Sequence, residues 1–230
     1  MENLQVVYED NHIIVVVKPQ NIPTQEDESK DRDMLTIIKE YIKEKENKPG
    51  NVFVGLVHRL DRPTGGVMVF AKTSKAASRL STQIAEGIFH KKYLAVVLGK
   101  PKEKRAKLIH FLKKNPRTNT VQVVPELETG AKRAELEYNI IEAKEKASLV
   151  EVNLFTGRSH QIRVQMKTIG CPIYGDVKYG GDKLAKGHNL ALWAYELKFQ
   201  HPTTKENMTF KVYPPEDKTP WNVFNLDLVK

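Results

Sequence analysis

Two β-branched runs open the chain, LQVVYED and HIIVVVKP, split by Asp10 and Asn11, and this pattern predicts a β-hairpin. The charge cluster EDESKDRD at 25–32 predicts a solvated loop. Asp33 then offers an N-cap for MLTIIKEYIKEKEN, in which Leu35, Ile38 and Ile42 recur at helical spacing, and Pro49 and Gly50 are expected to end the helix. Gly66 to Lys72 is a short apolar strand. Ser74 is expected to cap KAASRLSTQIAE, whose Ala77, Leu80 and Ile84 form an apolar stripe until Gly87 stops it.

From residue 88 to 155 the pattern changes to strands: YLAVVLG, AKLIHFL, TVQVV, AELEYNIIEA and SLVEVNLF, joined by turns and charged links. Such a meander builds an antiparallel sheet. Thr156 precedes a predicted helix, SHQIRVQMKTIG, closed by Gly170. Ile162, Met166 and Ile169 fall on one side of it, and His160, Arg163 and Lys167 form a polar stripe for presentation on another. The glycine-rich IYGDVKYGG predicts a loop, LALWAYELKF and NMTFKVY predict closing strands, and Pro214-Pro215 opens a tail. Meanders of this kind make α+β proteins.

The chain has 230 residues with 40% hydrophobic content, enough for a buried core in one large domain or two small subdomains. Its one cysteine, Cys171, excludes an internal disulfide and fits a reducing cytosol. The N-terminus lacks a basic leader with an apolar core, and no apolar run approaches the roughly 18 residues of a membrane span, so a soluble, cytoplasmic protein is expected. Lysine and arginine number 37 against 28 acids, a net charge of +9, which favours polyanionic partners. Between His90 and Arg117 stand ten cations and one acid, Glu103, so this single stretch carries the whole imbalance and points to phosphate.

Several chemistries lack support. The histidines His58, His90 and His160 are scattered with no HExxH and no CxxC, so no metal is expected. GGDKLAKG is not a phosphate loop, nothing reads as a dinucleotide fingerprint, and no GxSxG elbow occurs. Two polar constellations remain: HRLDRPTGG at 58–66 and TGRSHQIRVQMKTIG at 156–170. Taken alone each has a structural explanation, since Asp61 can bond its own turn and pair with Arg62, Arg163 can be a surface cation, and Tyr93 in KKYLAVVLG can be a half-buried aromatic.

Together the stretches HRLDRPTGG, KKYLAVVLG and LFTGRSHQIRVQMKTIGCPIYGDVKYG, in that order, resemble the pseudouridine synthases of the RluA family, and YEDNHIIVVVKPQNIPTQ and LKFQHP extend the match from about residue 6 to 213. The resemblance implies an α+β fold with a long mixed, mainly antiparallel sheet, helices on its outer faces and a central cleft. It implies one catalytic domain over 1–230, without a preceding small RNA-binding domain, divisible into two subdomains either side of the cleft. It also implies a monomeric isomerase that converts uridine to pseudouridine in ribosomal or transfer RNA with neither cofactor nor metal. By the same likeness Asp61 is the catalytic carboxylate, Arg163 pairs with it, Tyr93 lies against the target base, and Arg59 fills the gap left by the flipped uridine. His58, Arg62, Lys92 and Arg158 join Arg59 as expected RNA contacts.

The chemistry agrees with these roles: breaking a glycosidic bond builds positive character on the ribose, which a carboxylate stabilises or captures. An arginine within hydrogen-bonding reach keeps that carboxylate ionised. Gly65, Gln165 and Trp193 depart from the family's commonest residues. Two other readings stand beside this one: a non-catalytic RNA-binding protein of the same fold, and a glycosidase-like hydrolase using Asp176 as a second acid.

Overall fold

The computed structural model of the protein describes residues 4–47, 50–180 and 187–230. Among these residues eleven strands and three α-helices alternate in an α+β arrangement whose sheet structure is large and mainly antiparallel. The chain forms two compact units, Met1–His90 with Ala194–Val212, and Lys91–Trp193 with Tyr213–Lys230.

The first unit holds the expected opening hairpin, β1 (Val6–Glu9) and β2 (Ile13–Lys18). β2 pairs antiparallel with β4 (Gly65–Ala71), which also takes the two-residue β3 (Gly55–Leu56). Every residue of β2 and β4 is buried, which explains why these segments are continuous apolar runs instead of alternating ones. β10 (Leu192–Gln200) lies next to β4 in strand order and pairs antiparallel with β11 (Asn207–Lys211). Ile13, Val67, Leu80, Phe89, Leu197 and Phe199 share one core cluster here, and each such fully buried side chain contributes roughly 1.5–3 kcal/mol. Phe89 and Phe199 stack with ring centroids 5.3 Å apart.

Helix α1 spans Met34–Lys45 as its pattern required, and Asp33 caps it by accepting from the Thr36 amide at 3.1 Å. Its buried face is Met34, Ile37, Ile38 and Ile42, so Ile38 and Ile42 of the expected stripe are buried, while Leu35 is at the edge. Pro49, expected to end it, lies outside the described residues. In α2 (Ser74–Ala85) the cap is Thr73, whose side chain accepts from the Ala76 amide, and not Ser74. Its inward face is Ala76, Leu80 and Gln83. Gln83 is drawn inward because its amide donates to the Gln200 carbonyl at 2.8 Å and accepts from the Gln200 amide at 2.9 Å, imitating a neighbouring strand.

The second unit holds the five predicted strands, β5 (His90–Leu98), β6 (Arg105–Asn115), β7 (Thr120–Val124), β8 (Lys132–Ala143) and β9 (Ala147–Leu154), but not as the expected meander: they are hydrogen-bonded in the order β5-β9-β8-β6-β7, in which only β6 and β7, and β8 and β9, are both chain neighbours and sheet neighbours. All four pairings are antiparallel. β8 shows the clean alternation of a sheet with one wet face, burying Ala134, Leu136, Tyr138 and Ile140. Helix α3 spans only Gln161–Thr168 and packs on β6 and β7.

Of the polar stripe expected on α3, Lys167 is exposed, His160 half-buried and Arg163 buried. Gln161 and Gln165 are buried as well, and the Gln165 amide nitrogen donates to the Leu108 carbonyl at 3.2 Å. Among the described residues no helix is long and apolar enough to cross a membrane.

Candidate active site

The HRLDRPTGG stretch forms the loop 57–64 between β3 and β4, in the first unit. Its backbone is held by the segment that follows β2. The Leu60 carbonyl accepts from the Thr24 hydroxyl at 2.9 Å and the Pro63 carbonyl from the Gln20 amide at 3.1 Å. The Arg62 carbonyl accepts from the Asn21 amide at 2.8 Å and from Lys18 Nζ at 3.0 Å, while the Asp61 carbonyl accepts from the Thr64 amide at 2.9 Å. Four consecutive carbonyls are therefore satisfied by donors of neighbouring chain, and Asp61 sits on a fixed backbone with its residue only half-buried.

Lys18 was not singled out by sequence pattern. It is completely buried, and its ammonium donates to the carbonyls of Pro19, Ile22 and Arg62 at 2.9, 2.6 and 3.0 Å. Burial pulls its pKa down to about 7; the Asp61 carboxylate opposes that fall and Arg62 adds to it. The only trace in the sequence is a lysine closing an all-apolar strand.

The glycines after the loop have a steric role. Gly66 has φ +127°, and a Cβ there would stand 2.2 Å from the Ala194 carbonyl oxygen, so β4 and β10 approach more closely than any side chain permits.

The cations of this loop differ in their surroundings. Arg59 is exposed and among the described residues makes no side-chain hydrogen bond or ion pair. Arg62 does not pair with Asp61 but locks the 21–31 loop: it donates to the Asn21 carbonyl at 3.1 Å and to Ser29 Oγ at 2.9 Å, and it pairs with Asp31. His58 is 9% exposed. Its Nε2 accepts from the Val69 amide at 3.2 Å and its ring lies 5.4 Å from Phe89, so its imidazole is packed into the core.

Tyr93, Lys92, Arg158 and Arg163 belong to the second unit. Tyr93 is 5% exposed on β5, opposite Val152 of β9. Lys92 points to the other sheet face and pairs with Glu151 at 3.3 Å. Arg158 is exposed and donates to the Arg133 carbonyl at 2.9 Å. The turn 156–161 is stitched by Gln161, whose carbonyl oxygen accepts from the Thr156 hydroxyl at 2.8 Å and the Arg158 amide at 3.0 Å. This side chain, and not the N-cap residue His160, organises the start of α3.

Arg163 is 5% exposed and its Nε and Nη2 donate to Asp176 Oδ2 and Oδ1, both at 2.8 Å. Asp176, weighed as the acid of a hydrolase, is thereby excluded from that role: it is 2% exposed, neutralised by a two-point arginine contact, and also accepts from the Lys178 and Tyr179 amides. The sequence signal that could have found this pair is the GDVKYG turn, an aspartate followed by two amides it can cap.

The basic stretch is less one-sided than it reads along the chain. Lys92, Arg105, Lys107 and Lys113 pair with Glu151, Glu137, Glu135 and Glu128 from neighbouring strands or loops. Lys100, Lys102, Lys104, Lys114 and Arg117 form no ion pair among the described residues and are exposed.

Residues 12–168 match the family model of the RNA pseudouridylate synthases. The chain is 35% identical over 218 residues to the dual-specificity RNA pseudouridine synthase RluA of Salmonella typhi, covering 91% of this chain and 92% of that protein. It is 32% identical over 224 residues to the ribosomal large subunit pseudouridine synthase D of Zymomonas mobilis, covering 93% of this chain and 70% of that one. Among solved structures, human RNA pseudouridylate synthase domain containing 4 aligns with a TM-score of 0.78 at 21% identity over 92% of this chain and 88% of that one, a likeness of fold.

Proposed function

The chain belongs to the RNA pseudouridylate synthase family, and from that premise we propose that it isomerises uridine to pseudouridine in ribosomal or transfer RNA with Asp61 as the catalytic carboxylate. The reaction begins and ends with the same base on the same sugar, so no atoms or electrons need to be supplied from outside. What must be supplied is stabilisation of the sugar as the bond to nitrogen breaks, and an anion at that carbon provides it. The observation that carries this reading is the loop 60–63, whose four consecutive carbonyls are all bonded while the Asp61 residue stays partly accessible.

Arg163 supports the ionised carboxylate, and Tyr93 supplies a flat face for the uracil and a hydroxyl that orients a proton. Arg59, exposed and unengaged among the described residues, refills the stack when the uridine is everted, a step that costs a few kcal/mol. Arg158 and the unpaired cations between Lys100 and Arg117 hold phosphates without reading sequence. The protein acts as a monomer in the cytoplasm, where both RNA classes are made accessible before assembly.

The test maps pseudouridines in total RNA from cells with and without the gene, and repeats the map after complementation with Asp61→Asn. Loss of one or more sites in the deletion, restored by the wild type and not by the variant, is expected. The purified variant should retain its fold and lose turnover by about a thousandfold or more. An unchanged map in the deletion, or turnover surviving in Asp61→Asn, would overturn the reading.

A further inference from the structure

Three contacts in the second unit converge on the Arg163 guanidinium. Asp176 takes its Nε and Nη2 edge through two parallel hydrogen bonds of 2.8 Å, a geometry that fixes the plane of the fork as well as its position. The Tyr179 ring lies under the same group, with 5.0 Å between the guanidinium carbon and the ring centroid. The two partners are themselves joined, because Asp176 Oδ1 accepts from the Lys178 and Tyr179 amides at 3.1 Å each and so caps the turn that presents the ring.

The Tyr179 hydroxyl closes the circuit. It accepts from the Val121 amide of β7 at 2.8 Å and lies 2.6 Å from His160 Nδ1. His160 is the residue with φ +51° from which α3 departs, and α3 carries Arg163. The helix, the turn and the guanidinium therefore hold one another, with Asp176 2% and Tyr179 7% exposed.

We propose that Asp176 and Tyr179 are positioning residues of the isomerisation, setting the plane and reach of Arg163. The proposal rests on the role given to Arg163 above. A role confined to folding makes a different prediction: the variants would lose stability, and the molecules that fold would turn over normally.

The experiment measures kcat and KM of the full chain on a transcript carrying the mapped uridine, with far-UV circular dichroism for fold. Arg163→Lys and Asp176→Asn are each expected to lower kcat by about 30-fold or more with KM changed less than about threefold. The double variant should be within about threefold of Arg163→Lys alone, because a residue acting through Arg163 has nothing left to position. Asp176→Glu should recover part of the lost kcat. Tyr179→Phe, which keeps the ring, should lose less than about threefold, and Tyr179→Leu about tenfold or more.

Wild-type kcat in folded Asp176→Asn and Tyr179→Leu alongside an impaired Arg163→Lys overturns the proposal and leaves Arg163 standing. So does a double variant whose loss is the product of the two single losses. Wild-type kcat in Arg163→Lys overturns the premise itself. If Asp176→Asn fails to fold, the contrast between Tyr179→Phe and Tyr179→Leu decides the matter.

Discussion

At the scale of single residues, the loop that carries Asp61 depends on an ammonium that takes no part in the chemistry proposed for it. Lys18 is completely buried and joins three carbonyls across two segments. Burial lowers its pKa to about 7 against an ordinary 10.5. Above pH 10.5 both folded and unfolded chains carry it neutral; as pH falls from there to 7 the unfolded chain takes up the proton first, so the folded state loses stability over that window and no more below it. Lys18→Met should cost about 1–3 kcal/mol at pH 7 by leaving the carbonyls without their donor. In urea unfolding the gap between wild type and variant should widen from pH 7 to 9, by at most about 1.4 kcal/mol per pH unit. A gap independent of pH would show that Lys18 stays charged throughout.

Tyr93 allows a second test at this scale, since Tyr93→Phe keeps the ring and removes the hydroxyl. Loss of about tenfold or more in kcat with unchanged RNA affinity assigns the hydroxyl a proton-handling role, and an unaffected kcat assigns Tyr93 to stacking alone. Asp61, Tyr93 and Arg163 were singled out because they stand in ordered motifs, whereas Lys18 and Tyr179 were not, and Asp176 was named as an acid but not as the partner of Arg163. No spacing rule connects a lysine at the end of β2 with the carbonyl of Arg62. His58 stands in a motif while its ring packs beside Phe89 in the core.

At the scale of elements, α1 is fastened to the sheet by a polar clasp as well as by its isoleucines. Glu9 of β1 accepts from Lys72 at 2.7 Å on one oxygen, and from Lys45 at 2.7 Å and Tyr41 at 3.1 Å on the other. Burial pushes the Glu9 carboxyl up, but the bonds from Lys45 and Lys72 outweigh it and the net pKa is lowered from 4.5. The stability it contributes is therefore present above pH 4.5 and lost as pH falls through the depressed folded value. Glu9→Gln should destabilise by about 1–3 kcal/mol at pH 7, and the difference in urea midpoint should shrink once the pH drops below 4.5. The strands were read well from β-branched runs and alternation. Helix α3 was read too long, and the burial of Gln161, Arg163 and Gln165 was missed, because a helix that turns polar side chains inward has the same periodicity as one facing water.

At the scale of the whole molecule, net charge along the chain overstated the surface available to phosphate. Arg105, Lys107 and Lys113 are paired with glutamates, whereas Lys100, Lys102 and Lys104 form no ion pair among the described residues. Replacing the latter three by glutamine should flatten the dependence of log K for RNA on log salt by up to about 2–3, at roughly 0.7–0.9 per lost phosphate contact. Replacing the paired three should flatten it by less than about 1. Filter binding across a salt series distinguishes them, and equal slopes would mean that RNA breaks the ion pairs open.

Strand β10 re-enters the first unit only after residues 91–193 have gone elsewhere. A ribosome releasing this polypeptide N-terminus first thus exposes the flank of β4 and the ring of Phe89 long before Phe199 has been synthesised. The five strands β5 to β9 are all translated by residue 154, before β10 and β11 complete the sheet of the first unit, so the strands begun earliest are the last to gain their partners. A nascent chain stalled short of residue 200 would display an open sheet edge, the kind of surface that trigger-type chaperones shield and that quality-control proteases seize.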